Sequence, residues 1–263
     1  MKSLMFYIFI IGFFGLSFAG FSENKHAVID AAINQFEDLK SHHYQKKTAT
    51  GSFSVADTLG AIDYQNKKFR AKTISGDQLI EKIYSKNKKV YIYNGITEQW
   101  FQLNFDNYYF DPGFNKKKIF LFFNKEAQSN GFDLQFREKD LNNRSKVFFI
   151  LESKIENKEK AKRYVFDNLE IIFGKNFSQK IKEDRNLLDD YLNFYIDDFT
   201  AIVWIRKKDF FLTQKKQTYR QPVGPGRSVK IEEKINYSDF NKMVQVEIPK
   251  IAKQSPVISD FLR

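Results

Sequence analysis

The side chains best suited to chemistry are few in this sequence. Its three histidines are His26, His42 and His43. His42 and His43 are adjacent, and neighbours on a helix or a strand point to different sides, so together they make no metal pair. They read as surface histidines near a helix end. The densest carboxylates are Asp189-Asp190 and Asp197-Asp198, two helical turns apart and without the central glycine of a calcium loop. No Gly-x-Ser-x-Gly elbow and no His-Glu-x-x-His occurs, and no glycine-rich turn joins a strand to a helix. Gly224-Pro225-Gly226 has a proline where a phosphate cradle needs backbone N–H groups. There is no cysteine, which excludes disulfides, thiolate metal sites and a thiol nucleophile. The expectation is a protein without catalysis, metal or cofactor.

Charge and aromatic content point to a surface or an apolar guest. The chain carries 43 Lys and Arg against 32 Asp and Glu, a formal charge of +11. The excess is scattered through Lys86, Lys88 and Lys89, Lys116–Lys118, Lys154–Arg163, Arg206–Lys208, and Lys215 and Lys216, with acids interleaved. Such runs read as solvated faces, or as attraction to anionic lipid headgroups at about 1 kcal/mol per residue near a membrane. Nucleic acid would also attract this charge, a reading that ranks low because the amino-terminal residues point to export. Phe is abundant, 29 against 2 Trp, and Phe fills a wide apolar interior without a polar atom to satisfy.

The amino-terminal residues read as an export signal. One lysine, Lys2, precedes an apolar run from Leu4 to Phe18 that ends in Ser17-Phe18-Ala19, the shape of a secretory signal cleaved after Ala19. It is short for a spanning helix, which needs about 20 apolar residues; an uncleaved anchor is the alternative. Gly20, Phe21 and Ser22 stand where a lipoprotein would carry its acylated cysteine. The expectation is a signal peptide over 1–19, one domain over 20–263, and a periplasmic, soluble, monomeric product.

Periodicity supplies the elements. Val28, Ile29, Ala32, Ile33, Phe36 and Leu39 form one stripe of a helix spanning 26–43. Short alternating runs follow at 48–56, 61–64, 69–74, 79–85, 89–93 and 98–105, with turns at 57–60, 66–68, 75–77 and Asn94-Gly95. Further strands are expected at 132–137, 146–151, 165–173, 201–206, 210–219, 229–237 and 244–248. A solvated loop or hairpin tip is expected over Lys154–Arg163, and a second helical stripe from Phe177 to Tyr195. This is an antiparallel, α+β pattern.

Three stretches in order resemble the LolA-like superfamily of bacterial lipoprotein carriers and related lipid-binding proteins. They are the helix leading into Thr50-Gly51-Ser52-Phe53; Lys67-Lys68-Phe69-Arg70-Ala71-Lys72 with Ser85-Lys86-Asn87-Lys88-Lys89-Val90-Tyr91-Ile92-Tyr93-Asn94; and Tyr237-Ser238-Asp239-Phe240-Asn241 leading to Val246-Glu247-Ile248-Pro249. The family's proline before the Phe-Arg strand is absent, and Asn87 stands where Asp-Gly is usual. The resemblance implies an incomplete β-barrel, strongly curved and closed by helices, whose apolar concave face takes lipid or lipoprotein acyl chains and shuttles them towards the outer membrane. It also implies transient membrane contact and membrane-anchored donor and acceptor proteins. Phe53, Phe69, Tyr91, Tyr93, Trp100, Phe136, Phe149 and Trp204 are the expected cavity lining, with ordinary core filling as the alternative for each. The rival function is a non-catalytic periplasmic interaction or sensory domain of the same fold.

Overall fold

A computed structural model describes residues 25–51, 54–85, 89–104, 115–141, 146–224 and 226–258. Eleven strands form one antiparallel sheet: β1 (Ser41–Thr50), β2 (Ser54–Asp63), β3 (Lys68–Ser75), β4 (Gln78–Ser85), β5 (Lys89–Asn94), β6 (Gln99–Asn104), β7 (Phe132–Leu141), β8 (Lys146–Ile155), β9 (Thr200–Arg206), β10 (Leu212–Gly224) and β11 (Arg227–Ser238). Their order is β6-β5-β4-β3-β2-β1-β11-β10-β9-β8-β7. Every consecutive pair except β6 and β7 is adjacent, so the sheet is an up-and-down barrel left open at one seam. Twist makes so wide a sheet curl, and the result is the curved half-barrel implied by the LolA-like resemblance.

Most helices lie on the inner face. They are α1 (Lys25–Glu37), α2 (Lys117–Phe120), α3 (Lys125–Ser129), α4 (Lys158–Asp167), α5 (Leu169–Phe173), α6 (Lys175–Glu183) and α7 (Arg185–Asp197). A short α8 (Lys250–Lys253) follows near the carboxyl end, on the other face. The stripe Val28, Ile29, Ala32 and Phe36 of α1 is buried in the main core with Phe122, Phe132, Phe149, Val203 and Ile205. A second core on the β2–β6 half joins Ile62, Phe69, Tyr84, Val90 and Leu103. Tyr44 and Tyr64 pack against both, so the two cores meet at β1 and β2. A third cluster covers the outer face, where Val244, Val246 and Ala252 pack on Ile83 and Tyr91.

The structure corrects several expected elements. The first helix ends at Glu37, and His42 and His43 belong to β1. Lys116 ends that helix: its Nζ donates to the Glu37 and Leu39 carbonyls at 2.6 and 2.7 Å. His42 is buried rather than at the surface. The expected turn at 57–60 lies within β2, where Gly60 serves packing: a Cβ there would sit 2.2 Å from the Tyr44 ring. The second half of the expected loop at 154–163 begins α4, whose Asn157 cap accepts from the Lys160 N–H at 3.0 Å. The apolar run at 165–173, expected as a strand, is the end of α4 and all of α5. Residues 244–248 form no ladder and cross the outer face as a strap.

Candidate functional site

Side chains alternate faces along each strand, and cross-strand register divides the proposed lining into two groups. Phe69, Phe136 and Phe149 are on the inner face. Phe69 stacks on Tyr84 with ring centroids 5.9 Å apart, and Phe136 and Phe149 are 5.6 Å apart within the main core. Tyr91, Tyr93, Trp100 and Trp204 have the opposite parity and point outward. Tyr91 and Trp100 pack with the carboxyl-terminal strap, and Trp100 lies 5.3 Å from Tyr93. Trp204 alternates with the buried inner residues Val203 and Ile205. Phe53 lies outside the described residues. The seven described residues therefore do not converge on one surface.

What does converge lies where the two inner cores meet. His42, Tyr44 and Lys46 of β1, Ile62 of β2, Lys215 and Gln217 of β10, and Glu233, Ile235 and Tyr237 of β11 floor a half-open cavity of about 200 Å³. Asn115, Lys118 and Ile119 roof it. Register explains the grouping, because Lys46 pairs across to Ile235, and Ile235 to Lys215, on one lateral row of the inner face. Glu233 and Gln217 occupy the next inward row. Tyr44 leans over Gly60 because no Cβ blocks it.

The electrostatics are unusual for the interior of a half-barrel. Lys46 and Glu233 form an ion pair diagonally across β1 and β11. Burial pushes the Glu233 carboxyl up, but Lys46 at contact, with Lys118 and Lys215 beyond it, holds the net value below the ordinary range. Lys215 is only 6% exposed and has no hydrogen bond or ion pair to any described residue. Burial, then the neighbouring Lys118, bring its ammonium down to about 8; Glu233 opposes this and Lys46 adds to it. Burial also lowers Lys82, on the inner face of β4, with Lys46 adding. His42 is ringed by Phe36, Tyr64 and Tyr237, with centroids 5.8, 5.6 and 5.4 Å away. Burial, aided by His43 and Lys116, lowers it to about 3, so its imidazole is neutral at pH 7. Burial raises Tyr44 to about 12, and raises Tyr237 as well.

The cavity thus offers apolar walls, phenolic hydroxyls and a cluster of three lysines against one carboxylate. Among the described residues no group of three or more His, Cys, Asp or Glu side chains is placed to hold a metal ion. No described helix is long and apolar enough to cross a membrane. Sequence reasoning missed Lys215 because Lys215-Lys216 reads as a solvated basic pair. Strand alternation sends one inward while Lys216, on the outer face, faces Glu232 at 3.8 Å.

No protein-family model and no curated protein matches the chain. Among solved structures, the lipoprotein LppX of Mycobacterium tuberculosis is similar over 85% of this chain and 98% of its own, at 12% identity and a TM-score of 0.47. An uncharacterized conserved protein from Thermus thermophilus is similar over 89% of this chain and 98% of its own, at 11% identity and a TM-score of 0.39.

Proposed function

We propose that this protein is a non-catalytic carrier that shelters a lipid or lipoprotein acyl chain on the inner face of its half-barrel. In this reading it is exported to the periplasm and delivers the chain towards the outer membrane. The observation that carries the proposal is the cavity at the junction of the two inner cores, with Ile62, Ile119, Ile235, Tyr44 and Tyr237 in its wall. Hiding a ~16-carbon chain from water is worth on the order of 12 kcal/mol, so a carrier gains by offering even part of such a wall. At about 200 Å³ the cavity is smaller than the roughly 300–1,000 Å³ that encloses a small molecule. Binding a whole chain therefore requires the roof at 115–119 to move away from β1 and β11. The basic surface aids encounter with anionic membranes.

Native mass spectrometry with lipid extraction tests this on protein purified from a bacterial periplasm. Close to one equivalent of co-purifying phospholipid or lipoprotein is expected. One observation favours a second reading, an interaction domain of the same fold. The β7–β10 half of the inner face is already filled by the protein's own rings, with Phe122 4.4 Å from Phe199 and 5.3 Å from Phe132. A mass that stays free of lipid after incubation with vesicles would select that reading.

A further inference from the structure

We infer that the cavity lysines form a subsite for an oxyanion, and that the ligand is an acidic amphiphile held head-first: its carboxylate or phosphate against Lys215, its chain along Ile62 and Ile235. The inference rests on the carrier reading above and specifies its ligand. A purely apolar chain would gain nothing from the arrangement on this floor. Lys46, Lys118 and Lys215 line the same cavity as a single carboxylate, Glu233. Glu233 is engaged by Lys46, so its charge offsets only part of the cost of burying Lys215. Lys215 is the informative member: it is buried, lines the cavity and has no hydrogen bond or ion pair among the described residues. A buried ammonium without a counter-charge is costly, and a bound oxyanion would supply one. The nearby Tyr44 and Tyr237 hydroxyls, kept protonated by burial, are further donors for its oxygens. Apolar wall and cationic floor lie within one cavity, so one molecule with both characters satisfies both.

The test compares oleate, oleyl alcohol and inorganic phosphate by titration calorimetry on the delipidated full chain, as wild type, Lys215→Met and Lys215→Arg. Wild type is expected to bind oleate about tenfold or more tightly than oleyl alcohol, as for hydrogen bonds to a charged partner. Lys215→Met should bring the two within about twofold by weakening oleate alone, and Lys215→Arg should restore the preference. Equal binding of the two oleyl ligands by wild type, or an undiminished preference in Lys215→Met, would overturn the subsite while leaving the carrier reading intact. Phosphate binding as tightly as oleate would overturn the amphiphile in favour of a free anion. Failure of both oleyl ligands to bind would overturn the carrier reading itself.

Discussion

Replacing Lys215 by methionine is expected to make the unliganded protein more stable at neutral pH. The ammonium has an ordinary value of 10.5 and is brought to about 8 by burial and by Lys118. That gap corresponds to about 3 kcal/mol of destabilisation when both folded and unfolded chains carry the proton. Methionine has a similar length and no charge, and Glu233 keeps Lys46 as its partner. Part of the gain is lost to imperfect packing, leaving about 2 kcal/mol, or roughly 4–8 °C in melting temperature for a chain of this size. The pH dependence provides the sharper test. Below about pH 8 the penalty is fully present. Between about 8 and 10.5 the unfolded chain binds more protons than the folded one, so wild-type stability rises with pH relative to the variant. Above 10.5 the penalty is gone, and the variant keeps only its packing loss of about 1 kcal/mol. Urea denaturation of both proteins from about pH 7 to 10.5 measures this. A variant less stable than wild type at neutral pH, or an advantage that stays constant across that range, would refute the account of Lys215 as an incompletely compensated buried cation.

Other perturbations test the frame around the cavity. His42 has its folded value lowered to about 3 from 6.5, so its contribution is intact above pH 6.5 and lost as pH falls below it. About 2 kcal/mol should be gone by about pH 5, and His42→Phe should flatten that part of the stability profile. Gly60→Ala places a Cβ 2.2 Å from the Tyr44 ring and should cost about 1–3 kcal/mol; in a Tyr44→Ala background the cost should largely vanish, as a double-mutant cycle in urea would show. Gln102 holds the carboxyl-terminal strap, its Nε2 donating to the Ala252, Lys253 and Ser255 carbonyls at 3.2, 3.0 and 2.8 Å. Gln102→Leu should cost about 1–3 kcal/mol and speed amide exchange at Ile258, whose N–H bonds to the Gln102 carbonyl at 2.8 Å.

Much of the sheet was legible in the sequence because its turns carry strong local signals. Asn94-Gly95 joins β5 to β6, and Gly76 turns β3 into β4 at φ +56°. The misreadings arose where tertiary packing used a residue differently from its local preference. Gly60 reads as a turn glycine but stands inside β2, where it makes room for the Tyr44 ring of the neighbouring strand. The apolar run at 165–173 has strand composition, yet it is placed between the Asn157 cap and Gly174, and its helices bury Leu169 and Ile172 against the inner face. The site was the least legible part. Aromatic strand residues were identifiable, but which face curls inward depends on what covers it, and the outer face here is covered too, by the strap from Val244 to Ala252. Tyr91 and Trp100 are buried or half-buried for that reason, on the side away from the cavity.

The most direct test of the central claim is to locate a bound acyl chain. A photoreactive fatty acid cross-linked to the wild-type protein and mapped by peptide mass spectrometry should label the segments around Tyr44, Ile119 and Ile235 that wall the inner cavity. Labelling confined to the outer-face residues Tyr93, Trp100 and Trp204, or no labelling above that of the denatured chain, would contradict it.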